Sequence, residues 1–140
     1  MAASMPDGSS PLPDHLVGTC GFLGMSPKKY IHRFPVVELN FTFHDRTDES
    51  YDKRAELYGS LGLRTVIKVS GYATHTRVLR NPSEWLPWLR EKYRPLMEAG
   101  IVLALLWQLP PSCECTDDML IRLAELGELL QIPGSAWSST

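Results

Sequence analysis

Long hydrophobic runs are missing from this sequence, and their absence removes one class of protein at once. The longest apolar stretch, Ile101 to Trp107, falls far short of the about 20 residues that a membrane-spanning helix needs. A surplus of charge is missing too: 14 basic against 16 acidic residues leave a formal net charge of -2, which gives no overall field to hold the chain on nucleic acid. Cysteine is scarce, with three residues at Cys20, Cys113 and Cys115. An odd number of thiols with no secretory leader is expected in a reducing compartment, so a cytoplasmic protein without disulfides is the expectation. Cys113-Glu114-Cys115 is a CxC with no second ligand pair near it, and is read as two loop thiols.

What remains is an ordinary globular composition, 44% hydrophobic and 21% charged over 140 residues, enough for one modest core. Met1 to Pro13 is rich in Ala, Ser, Pro and Asp and has neither an apolar signal core nor the Arg-rich character of a transit peptide. Disordered tails are expected over 1–14 and 133–140, around one domain over 15–132.

Within that domain an apolar run, a turn and an amphipathic segment follow one another four times. This order predicts βαβα and a parallel sheet. The expected strands are His15 to Cys20, Val36 to Phe43, Arg64 to Ser70 and Ile101 to Leu109, the last apolar enough to be covered on both faces. Ser26-Pro27 supplies an N-cap and a proline for a short helix. Thr47 or Asp48 caps a second, in which Tyr51, Ala55, Tyr58 and Leu61 share a face and Gly59 and Gly62 mark the end. Asn81-Pro82 opens a third, carrying Trp85, Leu89, Tyr93 and Leu96, with Pro87 and Pro95 expected to kink or split it. It is a helix start, and Asn81-Pro82-Ser83 is no glycosylation site. Trp85, Trp88 and Tyr93 at helical spacing are expected to cover the sheet before they would stack on bases. A last helix after Thr116 has Met119, Leu120, Leu123, Ala124 and Leu130 as its predicted buried stripe and Pro133-Gly134 as its stop.

The second strand is unusual in alternating Val37, Leu39, Phe41 and Phe43 with Glu38, Asn40 and Thr42. In a parallel β/α barrel ligands bind at the C-terminal ends of the strands. Polar residues late in the strands are therefore the ones to collect: Glu38, Asn40, Thr42, Lys68, Ser70 and Gln108, with His44 and His75 in the loops beyond.

Several of these positions fall in recognisable motifs. Gly18-Thr19-Cys20-Gly21-Phe22 resembles a GTSGW strand, and Val37-Glu38-Leu39-Asn40-Phe41-Thr42-Phe43 a VEINSTF strand. Lys68 followed by Thr74-His75 resembles a strand lysine with a TH loop, and Leu106-Trp107-Gln108-Leu109-Pro110-Pro111 resembles LxFQLPP. In this order they resemble the YecE-like family, also called domain of unknown function 72. Cys20 stands where that family has Ser, Phe22 where it has Trp, and His44 where Tyr is common. The resemblance implies a TIM-type (β/α) barrel of which this chain holds the N-terminal half, a truncated barrel of about four β/α units, without the family's later strand bearing RHPSW-like residues.

The resemblance names no reaction, and whether the chain is an enzyme stays open. One reading takes Glu38 and Lys68 as an ion pair filling the barrel interior. The other makes Glu38, Lys68 and His75 candidate catalytic groups for acid-base chemistry on a small phosphorylated or sugar-like ligand, with Asn40, Thr42, Thr74 and Gln108 as ligand-binding residues. A Schiff-base role for Lys68 is disfavoured, because a neighbouring carboxylate raises a lysine pKa where amine nucleophilicity needs it lowered. A metal site from Glu38, His44 and Asp45 has no signature spacing, and neither metal nor cofactor is expected. The partner expected is a small anionic ligand. Alternatives are a nucleotide or nucleic-acid binding module using Arg64, Arg77, Arg80 and Lys68, or an inactive truncated product of a longer gene. Neither a membrane nor nucleic acid is expected as a partner. Open sheet edges, Leu103 to Leu109 above all, predict self-association or pairing with a missing C-terminal half.

Overall fold

Parallel strands need crossovers long enough to return the chain to the same end of the sheet, and helical segments supply them here. In a computed structural model that describes residues 15–44 and 49–129, the strands are β1 (Gly18–Cys20), β2 (Val36–Leu39), β3 (Arg64–Lys68) and β4 (Val102–Leu106). They form one sheet in the order β1-β2-β3-β4, parallel at every pairing. The α/β class and the single parallel sheet are as the sequence predicts. The expected tails, the caps at Thr47 or Asp48, and Asp45, Leu130 and Pro133-Gly134 lie outside the described residues.

The connections are α1 (Pro27–Tyr30), then α2 (Phe41–His44) and α3 (Asp52–Leu61), then α4 (Leu86–Glu98), with α5 (Asp117–Leu129) after β4. Ser26 caps α1 as expected, its hydroxyl accepting the Lys29 N–H. Gly62 ends α3 in the left-handed region at φ 67°, a conformation that costs glycine no Cβ clash. Thr116 Oγ1 accepts the Met119 N–H at the start of α5.

Four expectations are corrected. Strand β2 stops at Leu39 instead of running to Phe43. Asn40 turns the chain, its carbonyl accepting the Phe43 N–H at 3.0 Å, so the alternation through residue 43 is divided between a strand and a helical turn. Helix α4 begins at Leu86, after a separate 3-10 turn over Pro82–Glu84. Pro87 sits in its first turn, where a missing N–H removes no helical bond, and Pro95 is carried in the last turns without splitting it. Strand β4 is covered on one face only: Val102 is buried, Ala104 exposed and Leu106 38% exposed. The stripe of α5 is Met119, Leu123 and Leu126, while Leu120 and Ala124 face solvent, because an i, i+4, i+7 set holds one direction where adjacent pairs diverge.

The core lies between the sheet and the helices. Val37, Leu39, Thr65, Ile67 and Val69 point into it and meet Tyr51, Tyr58, Leu89, Tyr93 and Leu96. Each fully buried Leu or Ile contributes about 1.5 to 3 kcal/mol. Trp85 and Tyr93 are buried as the helical spacing predicts, and Trp88 is half-buried. Two tyrosines do more than fill space. The Tyr30 hydroxyl donates to Val36 O at 2.7 Å and accepts the Thr19 N–H at 3.0 Å, and the Tyr93 hydroxyl accepts the Ser70 N–H at 2.9 Å where β3 gives out.

The other face of the sheet carries the polar side chains. Register aligns Cys20 with Glu38, Glu38 with Val66, and Val66 with Ala104, so these four form one rung. Lys68 and Leu106 begin the next, nearer the C-terminal ends. On the first of these rungs Cys20 and Ala104 are exposed and Glu38 and Val66 half-buried.

Candidate functional site at the C-terminal ends of the strands

Phe43 organises the site. The short helix α2 turns its ring back over β3, and the Lys68 ammonium lies 4.6 Å from the ring centroid. His44 and His75 meet the same ring edge-on, at 4.9 and 5.2 Å between centroids. A cation above an aromatic face is attracted by the ring quadrupole, by about 0.5 to 1 kcal/mol where water has access. One apolar ring thus gathers a lysine and two imidazoles.

Among the described residues Lys68 has no carboxylate partner. Glu38 lies on the same face of the neighbouring strand but pairs in register with Val66, which sets its Cα about 8 Å from that of Lys68 by strand spacing and rise. Among the described residues neither side chain joins an ion pair, and the Glu38 side chain accepts no hydrogen bond. The interior ion pair considered from the sequence is therefore not formed. Instead a half-buried cation and a half-buried carboxylate stand apart on one open face.

Thr42 is 1% exposed. Its hydroxyl lies 2.7 Å from Lys68 O and 2.9 Å from Leu39 O, and having one proton it donates to one of them at a time. It ties α2 to the end of β3. Thr74 is buried as well, with its hydroxyl 2.9 Å from His75 Nδ1 and 3.4 Å from Ser70 O. If His75 Nδ1 holds the proton, it donates to Thr74, the Thr74 hydroxyl turns to Ser70 O, and Nε2 is left as an acceptor. His75 itself is exposed. It rides on a five-residue π-helical turn, Tyr72–Thr76, closed by Arg77 N–H donating to Tyr72 O at 2.8 Å. Such i to i+5 turns often mark functional sites.

Asn40, just past β2, donates from Nδ2 to Cys20 Sγ at 2.8 Å. Gln108 lies beyond the end of β4, exposed and, among the described residues, without a side-chain hydrogen bond. Glu38, Asn40, Lys68, His75 and Gln108 are thus all brought to one end of the sheet, while Thr42 and Thr74 brace it from below. Phe43 and the Cys20–Asn40 contact were not singled out from the sequence. The only signal for Phe43 was its place beside the polar alternation, since nothing local says that its ring reaches residue 68. No group of three His, Cys, Asp or Glu side chains is placed to hold a metal among the described residues, and no helix there is long and apolar enough to cross a membrane.

Four parallel strands in sequential order joined by helical segments are the arrangement of a truncated (β/α) barrel, and the comparisons agree. Residues 27–134 match the family described as Protein of unknown function DUF72. The chain belongs to that family. Two crystal structures of a DUF72 family protein from Enterococcus faecalis V583 are similar in fold. One has a TM-score of 0.58 and 18% identity, covering 81% of this chain and 47% of its own. The other has a TM-score of 0.57 and 17% identity, covering 75% and 40%. This chain thus spans about half the length of those relatives, and at such identity the likeness concerns fold alone. None of the curated proteins compared with it matches.

Proposed function

We propose that the strand-end site binds a small anionic ligand of the phosphorylated or sugar-acid kind, with Lys68 as the charge clamp. The observation that carries this is the state of Lys68: its ammonium is held by Phe43 and is not neutralised by any carboxylate of the described chain. A cation positioned in this way is ready for an anion, and a fixed ligand charge there costs little reorganisation. Glu38, unpaired on the adjacent strand, and His75, tied through Nδ1 to Thr74, are the groups of a suitable kind to move a proton on such a ligand. Asn40 and Gln108 supply amides to orient it.

The nucleic-acid alternative has less support. Arg64 Nη1 donates to Gly100 O at the opposite end of β3, and the Arg77 guanidinium is engaged by Glu84. Both guanidinium groups are thus engaged within the chain.

The test is a thermal-shift screen of the chain with phosphorylated metabolites and sugar acids, followed by isothermal titration of any hit against Lys68→Ala and Glu38→Gln. Saturable binding that Lys68→Ala removes supports the reading. Binding that survives Lys68→Ala unchanged, or a screen without a hit, overturns it.

A further inference from the structure

The π-helical turn that presents His75 to Phe43 carries another aromatic residue, Tyr72, in the opposite role. Tyr72 stands across from Trp88 of α4 with the two rings 6.4 Å apart between centroids and 84° between planes. Together with Trp85 and Glu84 they line a cleft of about 260 Å³. Trp85 is 1% exposed and its indole N–H donates to Arg80 O at 2.8 Å, so it forms the back wall. Tyr72 and Trp88 are each only half-buried. Glu84, 58% exposed, supplies the one acidic group of the lining.

We infer that this cleft is a binding site for an organic cation, a methylated ammonium group such as that of choline or of a methyl-lysine side chain. Tyr72 and Trp88 stand at a right angle and border the same cleft, and aromatic rings around one volume are how cages hold quaternary ammonium ions. A platform for a sugar or a base needs a single flat ring, whereas here the second ring stands perpendicular and closes a corner. The volume is larger than a trimethylammonium group requires, and a carboxylate at the rim matches its charge. The Arg77 guanidinium engages one oxygen of that carboxylate, Oε2, so an incoming cation meets Glu84 already paired. Arg77 is therefore a competitor for Glu84, and its removal strengthens ligand binding. The site is independent of the proposed anion site, since no side chain of the cleft is one of the groups around Phe43.

The experiment is a titration of the full chain with tetramethylammonium chloride at constant ionic strength, followed by isothermal titration calorimetry. Sodium chloride and 3,3-dimethyl-1-butanol, a neutral compound of similar shape, serve as controls. A saturable change with the ammonium ion alone is expected, weakened about three- to ten-fold by Glu84→Gln. Trp88→Leu should abolish it, and Trp88→Phe, which keeps an aromatic wall and guards against loss of fold, should weaken it only. Arg77→Gln is expected to tighten binding, and Lys68→Ala to leave it unchanged. An equal response to the neutral alcohol, or a response indifferent to Glu84→Gln, overturns the inference, as does no response to the ammonium ion.

Discussion

Gly71 lies so close beneath the Phe43 ring that a Cβ on it would fall 2.9 Å from Phe43 Cζ. The contact fixes the height of the ring that carries Lys68 on its face and His75 at its edge. Gly71→Ala pushes that ring outward. The expected cost is about 1 to 3 kcal/mol, as for overpacking elsewhere, together with weaker ligand binding at Lys68. Urea denaturation and titration with a ligand found by screening check the two halves, and wild-type stability in the variant would show that the ring relaxes freely.

Among the described residues no carboxylate pairs with Lys68, so its removal breaks no ion pair there. Lys68→Met should therefore change stability by less than about 1 kcal/mol, the scale of the lost contact with the Phe43 ring. A chemical melt decides this. A loss of several kcal/mol would reveal a structural role for the ammonium and would remove the ground for treating it as a ligand group.

Tyr30 serves two strands through one hydroxyl, to Val36 O and from the Thr19 N–H. Tyr30→Phe takes that partner from both main-chain groups, the Val36 carbonyl in a buried place and the Thr19 N–H in a partly buried one. The expected loss is about 1 to 3 kcal/mol, with the faster amide exchange concentrated in β1. If β1 exchanges as before, the short strand is held by its ladder to β2 alone.

Burial pushes the Tyr58 phenol above its usual value of 10.0, against the smaller opposing effect of the Arg54 guanidinium. The folded chain therefore keeps this proton at a pH where the unfolded chain releases it. Stability from this group is fully present below about pH 10 and declines as pH rises from there through the folded value. Tyr58→Phe has no such proton and should flatten that part of the alkaline stability profile. An identical alkaline slope in the two proteins would assign the loss to other groups.

The uncovered inner face, with Ala104 and Leu106 exposed on an edge strand, predicts association of the isolated chain. Sedimentation velocity should show species larger than a monomer that shrink on Leu106→Lys. A sharp monomeric boundary across concentrations would mean that this face tolerates water.

Much of this was legible in the sequence, and the part that was not has a common cause. The four strands, the parallel sheet, Ser26, Gly62 and Thr116 at helix ends, and Trp85 and Tyr93 in the core are all set by local pattern. Glu38 and Lys68 were placed correctly on one face, because strand alternation reports direction. Their separation was not visible, since it depends on the register between β2 and β3. The turn at Asn40 was hidden behind an alternation that a strand would also produce, and the bond from the Phe43 N–H to Asn40 O tells the two apart. The role of Phe43 depends on Gly71, and the pairing of Tyr72 with Trp88 on the π-helical turn. Contacts between distant segments of that kind leave no periodic trace.

The ladder itself divides the strand-end site by stiffness. Glu38 and Lys68 stand on β2 and β3, each hydrogen-bonded to strands on both sides. Cys20 and Gln108 belong to β1 and to the exit of β4, which among the described residues are paired on one side only. Opening at a sheet margin breaks one row of bonds, and opening at its centre breaks two, so amplitudes of motion grow outward from the middle. A ligand would meet its two charged contacts on the steady part of the frame and its neutral contacts on the yielding part. Ligands of one charge arrangement and differing width would then be accommodated by movement of the margins, so that the site would discriminate by charge more sharply than by size.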